Sequence, residues 1–487
     1  MKPLKDILYR TLLEQVVGST GVSIKRIAFD SREVEDGTAF VAIRGTHGDG
    51  HGFIEGAIDR GAVAIICEEL PKRLRDGVTY VRVADSRHAL AIMAGNFHDH
   101  PDRKLKLIGV TGTNGKTSVA TLLYKLLGAL GHPCGLISTV EVRVGDAVVP
   151  ATHTTPDPLR LNGLLAEMVK AGITHCCMEV SSHAVVQERI AGLHFAMGVF
   201  TNITHDHLDY HKTFEAYIQA KKGFFDQLPA GAVALVNADD VHGAVMVQNT
   251  KAAKATYALR NVADHRARII ENQISGLHLN IDGHDLFTRL IGEFNASNIL
   301  AVYAAAVLLG GPPTEVLTVL SGLEPPPGRF QVVRGLGGVI GIVDYAHTPD
   351  ALKNVLGTII AVCGDREQVI TVVGCGGDRD RAKRPVMAAI AASMSRSVVL
   401  TSDNPRGEDP MAIIDEMWKG VLPADQARVL INADRRQAIR QAVALAAPGD
   451  VVLVAGKGHE QYQEVAGVRH HFDDVEELKA TLELLRK

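Results

Sequence analysis

The run Thr111-Gly112-Thr113-Asn114-Gly115-Lys116-Thr117-Ser118 follows the apolar stretch Leu107-Ile108-Gly109-Val110 and opens a helical pattern. Glycines let backbone N–H groups close around phosphate oxygens, and the start of the helix adds its positive dipole. Lys116 can reach β- and γ-phosphate oxygens, and the Thr117 hydroxyl can ligate Mg2+. The general spacing wants a glycine where Val110 stands, so this is a shortened phosphate loop whose chemistry survives. Two further groups suit the same chemistry. Residues 173–179 read as a strand that ends on Glu179, a carboxylate at the edge of a parallel sheet where ligands bind and hence a metal-ligand candidate. A later segment, 202–211, crowds His205, His207 and His211 with Asp206 and Asp209, and His207 is the preferred second ligand. Residue types alone also allow a plain glycine turn at the loop and a polar helix cap with solvated histidines.

The elements that must carry these groups alternate. Strands at 107–111, 135–138, 175–179, 197–202 and 232–237, with a helix over 117–130, predict a parallel sheet covered on both faces. A helix over 298–309 is expected to close this unit, and Glu324-Pro325-Pro326-Pro327-Gly328 reads as a stiff linker. Before it, strands at 24–29, 39–43, 63–66 and 80–83 with a helix over 89–97 make a small α/β unit, and the polar, proline-containing segment 98–102 has the composition of a boundary. After the linker, strands at 341–344, 369–374, 397–401, 428–431 and 451–455 predict a second doubly wound, Rossmann-like sheet. The fold class is therefore α/β with three domains, over 1–104, 105–331 and 332–487.

A chain of 487 residues exceeds what one core organises, and 46% hydrophobic with 22% charged residues is the balance of a globular enzyme. The net charge of −4 provides no basic field for nucleic acid or an anionic membrane. Six cysteines without a C-x-x-C pair argue for reduced thiols rather than disulfides or structural zinc. The charged start Met-Lys-Pro-Leu-Lys-Asp lacks the apolar stretch of a signal peptide, and the longest apolar run, 299–309, is too short to span a bilayer. A cytoplasmic monomer without membrane insertion is expected.

Thr-Gly-Thr-Asn-Gly-Lys-Thr at 111–117, Met-Glu-Val-Ser-Ser-His at 178–183, Asp-His-Leu-Asp-Tyr-His at 206–211 and Gly-Glu-Phe-Asn-Ala-Ser-Asn at 292–298 resemble, in this order, the ATP-binding domain of the Mur ligase family. The resemblance extends over nearly the whole chain and implies a UDP-substrate domain, an ATPase domain and an amino-acid domain, in that order. It implies ATP-driven amide bond formation in cell-wall synthesis through an acyl phosphate. ATP would meet Gly112, Thr113, Asn114, Gly115, Lys116, Thr117 and Ser118, with Asn295 at the adenine and Arg329 and Asp344 facing the nucleotide across a domain boundary. Thr117, Glu179, His207 and Lys221 would hold Mg2+, with Lys221 converted by CO2 to N6-carboxylysine. From residue type alone, Lys221 is a solvated helix lysine.

The same resemblance places UDP-MurNAc-L-Ala-D-Glu against Phe29, Ser31, Thr46, His47 and Gly48 and against His153, Thr154, Thr155, Ser181, Gln187 and Arg189; His153 stands where related enzymes commonly have Asn. Asp-Ser-Arg at 30–32 is otherwise a turn. Ser402-Asp403-Asn404-Pro405-Arg406 resembles the signature of members that add meso-diaminopimelate. The physical reason is direct. The far end of this diamino acid bears a carboxylate that suits the planar fork of Arg406 and an ammonium that suits Asp403 and Asn404. Arg379, Pro405, Gly456 and Glu460 match partners in that pocket. The alternatives are a sister ligase using lysine, a folylpolyglutamate-type ligase, a phosphate-loop switch and a non-catalytic UDP-sugar binder.

Overall fold

The computed structural model describes residues 1–45, 48–151, 153–206, 208–363 and 367–487, and leaves the side chains of Leu208 and Asp209 undescribed. Beside two two-stranded sheets, Lys2–Pro3 with Ser23–Ile24 and Tyr462–Val465 with Val468–His471, three large sheets carry the chain among the described residues. The first has the order Leu13–Val17, Thr79–Val83, Ala62–Cys67, Thr38–Val41, Arg26–Ala28, parallel except for its first pair. Alternation with period two explains how both faces are buried. Ala39 and Val41 pack with Leu90 and Met93 of the helix Ser86–Phe97, while Phe40 and Ala42 pack with Ile54 and Ala57. That helix starts three residues before the expected one because Asp85 caps it, accepting from the Arg87 and His88 N–H groups.

The middle sheet has eleven strands, and its parallel centre runs Cys134–Ile137, His175–Glu179, Lys106–Thr111, Phe195–Phe200, Val233–Asn237, Ala253–Ala258. Both edges depart from the expected all-parallel sheet. A hairpin, Val142–Val144 with Ala147–Val149, adds to one side, and an antiparallel meander, His265–Gln273, Gly276–Ile281 and His284–Thr288, extends the other. Ile108 and Val110 face the helices Lys116–Ala129 and Glu293–Leu308 through Val119, Leu122, Leu123, Ile299 and Leu300, while Leu107 faces Leu161, Leu164 and Phe224. The helix expected from 298 begins at Glu293, and a further helix, Pro313–Gly322, precedes the linker. An apolar run marks the buried middle of a helix and not its polar first turn.

The third sheet has the order Gln331–Arg334, Ile340–Asp344, Val451–Ala455, Val369–Val373, Ser397–Leu400, Val429–Ile431, antiparallel only at its first pair. Its core reaches across the linker to Ile291 and Phe294 of the middle domain. All six cysteines are free thiols, Cys363 half-buried and the others buried. Among the described residues no helix is long and apolar enough to cross a membrane.

Candidate active site

A cavity of about 450 Å³ opens where the carboxyl edge of the middle sheet meets the third domain. One wall is Thr113–Ser118 with Thr139, Glu179 and Lys221; the opposite wall is Arg329, Asp344, Tyr345 and His347. The loop leaves the strand at Thr111 and enters its helix at Lys116. Gly112 is required there, because a Cβ at that position would lie 1.9 Å from Thr201 Oγ1 and 3.0 Å from the Asn202 carbonyl oxygen. Asn114 N–H donates to Asn202 Oδ1 at 2.9 Å and Thr113 N–H to Asn202 O at 2.8 Å, so the neighbouring strand end fixes the loop.

Two lysines converge on one carbonyl oxygen. Lys116 Nζ donates to Gly112 O at 2.9 Å and to Thr113 O at 2.8 Å, and Lys221 Nζ donates to the same Gly112 O at 2.6 Å. Lys221 is 1% exposed, over the Tyr217 ring at 4.7 Å, so the solvated helix lysine that its type suggests is replaced by a buried one. Burial, and then the charge of Lys116, push the Lys221 ammonium well below its usual range, and burial lowers Lys116 as well.

Glu179 is 1% exposed at the end of its strand. Oε1 accepts the Thr117 hydroxyl at 2.9 Å and the Thr139 N–H at 2.7 Å, and Oε2 accepts the Thr139 hydroxyl at 3.2 Å. A hydroxyl and a carboxylate side by side are the oxygen donors that a hard cation selects. His207 lies outside the described residues. Arg329 reaches from beyond the linker, donates from Nη2 to Thr117 Oγ1 at 3.1 Å and lies over the Tyr345 ring at 4.5 Å, with its buried Nε unpartnered among the described residues. Lys116 and Arg329, with an unused guanidinium donor, on one cavity fit a polyphosphate. Asn295 stands behind the wall, its amide donating to Ile291 O at 2.9 Å and accepting from Asn298 at 3.2 Å, while Asn298 itself lines the cavity.

Asp344 is buried and accepts the Phe330 N–H at 2.7 Å. Burial raises its carboxyl to about 6, against the pull of Arg329. Because this lies above the unfolded value, its contribution to stability is complete below about pH 4 and is lost as pH rises through about 6. At about 1.4 kcal/mol per pH unit the gap is on the order of 3 kcal/mol. Asp344→Asn is therefore expected to melt above the parent at about pH 7.5 and level with it near pH 4, in melts run across that range. A constant offset would contradict the burial argument.

His153, Thr154, Thr155, Ser181 and Arg189 also line the cavity. Thr155 Oγ1 donates to Glu179 O at 2.8 Å, Arg189 donates to Thr155 O at 2.6 Å and to Gln187 Oε1 at 2.7 Å, and Gln187 donates to the Tyr210 hydroxyl at 3.2 Å. Phe29, Ser31 and Gly48 are apart from this cavity, in the first domain. Asp30 accepts the Arg32 N–H at 2.9 Å and pairs with its guanidinium at 2.7 Å, so the turn that these residue types suggest is present. Gly48 O accepts from Gly45 N at 2.8 Å. Thr46 and His47 lie outside the described residues.

In the third domain Asp403, Asn404 and Pro405 are buried. Asn404 Nδ2 donates to Glu460 Oε2 at 2.7 Å, and Gly456 backs onto Asp403, whose Oδ2 would meet a Cβ at 2.5 Å. Arg406, at φ 52°, donates to Gly377 O at 2.8 Å, and Arg379 donates to Asp378 O at 3.2 Å, so both lean on the same glycine-rich loop. None of these is on the 450 Å³ cavity.

Several site residues escape a sequence reading. Thr139 follows a parallel strand at the ligand edge, which is the position that could have flagged it. Asp350, whose Oδ2 accepts from Asn114 and Thr204 at 3.1 Å each, ties the third domain to the phosphate loop; its Thr-Pro-Asp helix start reads only as a cap. Arg435 pairs with Asp474 at 2.8 Å and donates to Ser402 O and Ala455 O, holding two loop bases together.

A shortened phosphate loop on a doubly wound sheet, facing a second such sheet across a linker, defines a nucleotide-using enzyme with its site between domains. The chain belongs to the Mur ligase family. Residues 23–98 match "Mur ligase family, catalytic domain", 110–306 "Mur ligase middle domain" and 328–458 "Mur ligase, glutamate ligase domain". It is 56% identical over 485 residues, 99% of this chain and all of the relative, to the UDP-N-acetylmuramoyl-L-alanyl-D-glutamate–2,6-diaminopimelate ligase of Cytophaga hutchinsonii. A solved structure of a ligase of that name superposes with a TM-score of 0.68 at 34% identity, covering 95% of this chain and 96% of the other. The MurF ligase of Thermotoga maritima in complex with ADP shares the fold, with a TM-score of 0.62 at 20% identity over 95% of this chain and 97% of the other.

Proposed function

We propose that this chain is an ATP-dependent, ADP-forming ligase that adds meso-diaminopimelate to the D-Glu of UDP-MurNAc-L-Ala-D-Glu in peptidoglycan synthesis. The observation that carries it is one cavity with the phosphate loop on one wall and third-domain residues on the other, with the cluster of buried Asp403 and Asn404 and half-buried Glu460 behind Tyr345 of that wall. The domains divide at 104/105 and 331/332, and the enzyme acts in the cytoplasm as a monomer.

ATP lies along Gly112–Ser118 with Asn295, Arg329 and Asp344. Thr117, Glu179, His207 and a Lys221 carbamate would hold Mg2+, which when bound draws charge from the phosphate oxygens. The acceptor dipeptide lies along Phe29, Ser31, Thr46, His47 and Gly48 at its uridine end and His153, Thr154, Thr155, Ser181, Gln187 and Arg189 at its peptide end. A γ-carboxylate oxygen attacks the γ-phosphorus, the bond to ADP breaks, and an acyl phosphate forms. Lys116 and Arg329 offset the charge that gathers on the transferring group. A neutral amine of diaminopimelate attacks the acyl carbon, the carbon–oxygen bond to phosphate breaks, and the nitrogen gives up a proton as phosphate leaves and the amide remains. Asp350 and Arg329, bridging the domains, keep water from the acyl phosphate by holding the walls together.

Arg379, Asp403, Asn404, Pro405, Arg406, Gly456 and Glu460 select the diamino acid. Lysine would leave Arg406 without a carboxylate, a cost of about 1–3 kcal/mol or roughly tenfold and more in discrimination. The test is phosphate release with the UDP-dipeptide and, in parallel, meso-diaminopimelate, L-lysine or L-glutamate. Release with lysine at comparable efficiency would refute the substrate assignment. Arg406→Ala is expected to narrow the preference about tenfold or more while ATP binding stays the same; an unchanged preference would remove Arg406 from this role.

A further inference from the structure

The turn after the strand Val451–Ala455 holds a cation that the reaction above leaves without a task. Lys457 has 0% exposure, and a buried ammonium persists only where acceptors and opposite charge surround it. Its Nζ donates to Asn404 Oδ1 at 3.0 Å and Glu460 Oε2 at 3.3 Å, and stands 3.8 Å from Asp403 Oδ1. Asn404 Oδ1 also accepts the Glu464 N–H at 2.9 Å. Two donors on that oxygen fix the amide, so its nitrogen must face Glu460.

The charges can be added. Asp403 and Glu460 supply two negative charges and Lys457 one positive, while Arg435 beside them is matched by Asp474 at 2.8 Å. We infer that Lys457 is a positioning residue for the amine substrate: it orients Asn404 and Glu460 and leaves their cluster one net negative charge, the complement of a single ammonium. This rests on the reading of the 403–406 and 456–460 loops as the amino-acid pocket. The groups facing Glu460 are Asp403, Lys457, Arg435, Tyr345 and Tyr462. Burial and Asp403 push the Glu460 carboxyl up while Lys457 holds it down, and the two phenols, raised by burial, are neutral. Without the ammonium, Glu460 stays protonated to a higher pH and stops accepting from the substrate.

Lys457→Met retains the side-chain length and removes the charge. The KM for meso-diaminopimelate is expected to rise about tenfold or more near neutral pH and to recover as pH increases, with the KM for ATP within about twofold of the parent. A KM and pH profile identical to the parent would overturn the inference. Failure of the parent itself to use the diamino acid would refute the substrate reading instead, so the two failures are distinct. Should Lys457→Met not fold, as judged by thermal melting, Lys457→Met/Glu460→Gln decides, since its cluster carries the parent's net charge. Recovery of folding, with a raised KM that follows the parent's pH dependence, supports the role; a double variant that also fails to fold reduces Lys457 to packing and overturns it.

Discussion

Lys221→Ala is expected to lower kcat about a thousandfold, the scale of losing one preorganised charge partner at a phosphoryl-transfer site, with ATP affinity little changed. Stripping dissolved CO2 from the parent enzyme should reproduce much of that loss, and bicarbonate should reverse it in the parent but not in the variant. The reason lies in the surroundings of the amine. Lys221 is 1% exposed and beside Lys116, so the charged form is disfavoured even though its Nζ donates to Gly112 O at 2.6 Å. The neutral amine is the form that adds CO2, and the product, after loss of a proton, would place an anionic oxygen ligand near Thr117 and Glu179. Parent activity that is indifferent to CO2 would exclude the carbamate.

Glu179→Gln is the second large effect. The carboxylate accepts from the Thr117 hydroxyl, the Thr139 N–H and the Thr139 hydroxyl, at 2.9, 2.7 and 3.2 Å. An amide of the same shape offers one oxygen and turns an NH2 toward the remaining donor, and it carries no charge for a cation. A fall in kcat of about a hundred- to a thousandfold is expected, together with a Mg2+ requirement about tenfold higher. Turnover measured over a Mg2+ titration distinguishes this from mere loss of packing, because a variant with the parent's Mg2+ dependence would remove Glu179 from the cation site.

The phosphate loop was legible in the sequence because its determinants are local: glycines, a lysine and a helix start within eight residues of a buried strand. Glu179 was legible for a related reason, since a parallel strand delivers its last residue to the ligand edge. The burial of Lys221 was not, because the strand end and the loop that cover it are contributed by distant segments, Gly112 being 109 residues away. Arg435 and Asp474 meet across 39 residues and Lys457 and Asn404 across 53, and no periodicity records such pairings. The antiparallel meander carries a local signal of its own. Asp282 and Gly283, both with positive φ, are an Asp-Gly turn between alternating strands, the pattern of a tight hairpin.

The central claim is that the acceptor carboxylate is activated by phosphorylation, its own oxygen bonding to phosphorus. Substrate carrying 18O in both γ-carboxylate oxygens of its D-Glu tests this directly when turned over with ATP and meso-diaminopimelate and the released phosphate is read by mass spectrometry. The account predicts that each phosphate carries one labelled oxygen, since the attacking carboxylate oxygen leaves with phosphorus. Phosphate free of label, with the labelled amide formed at the same rate, would contradict it.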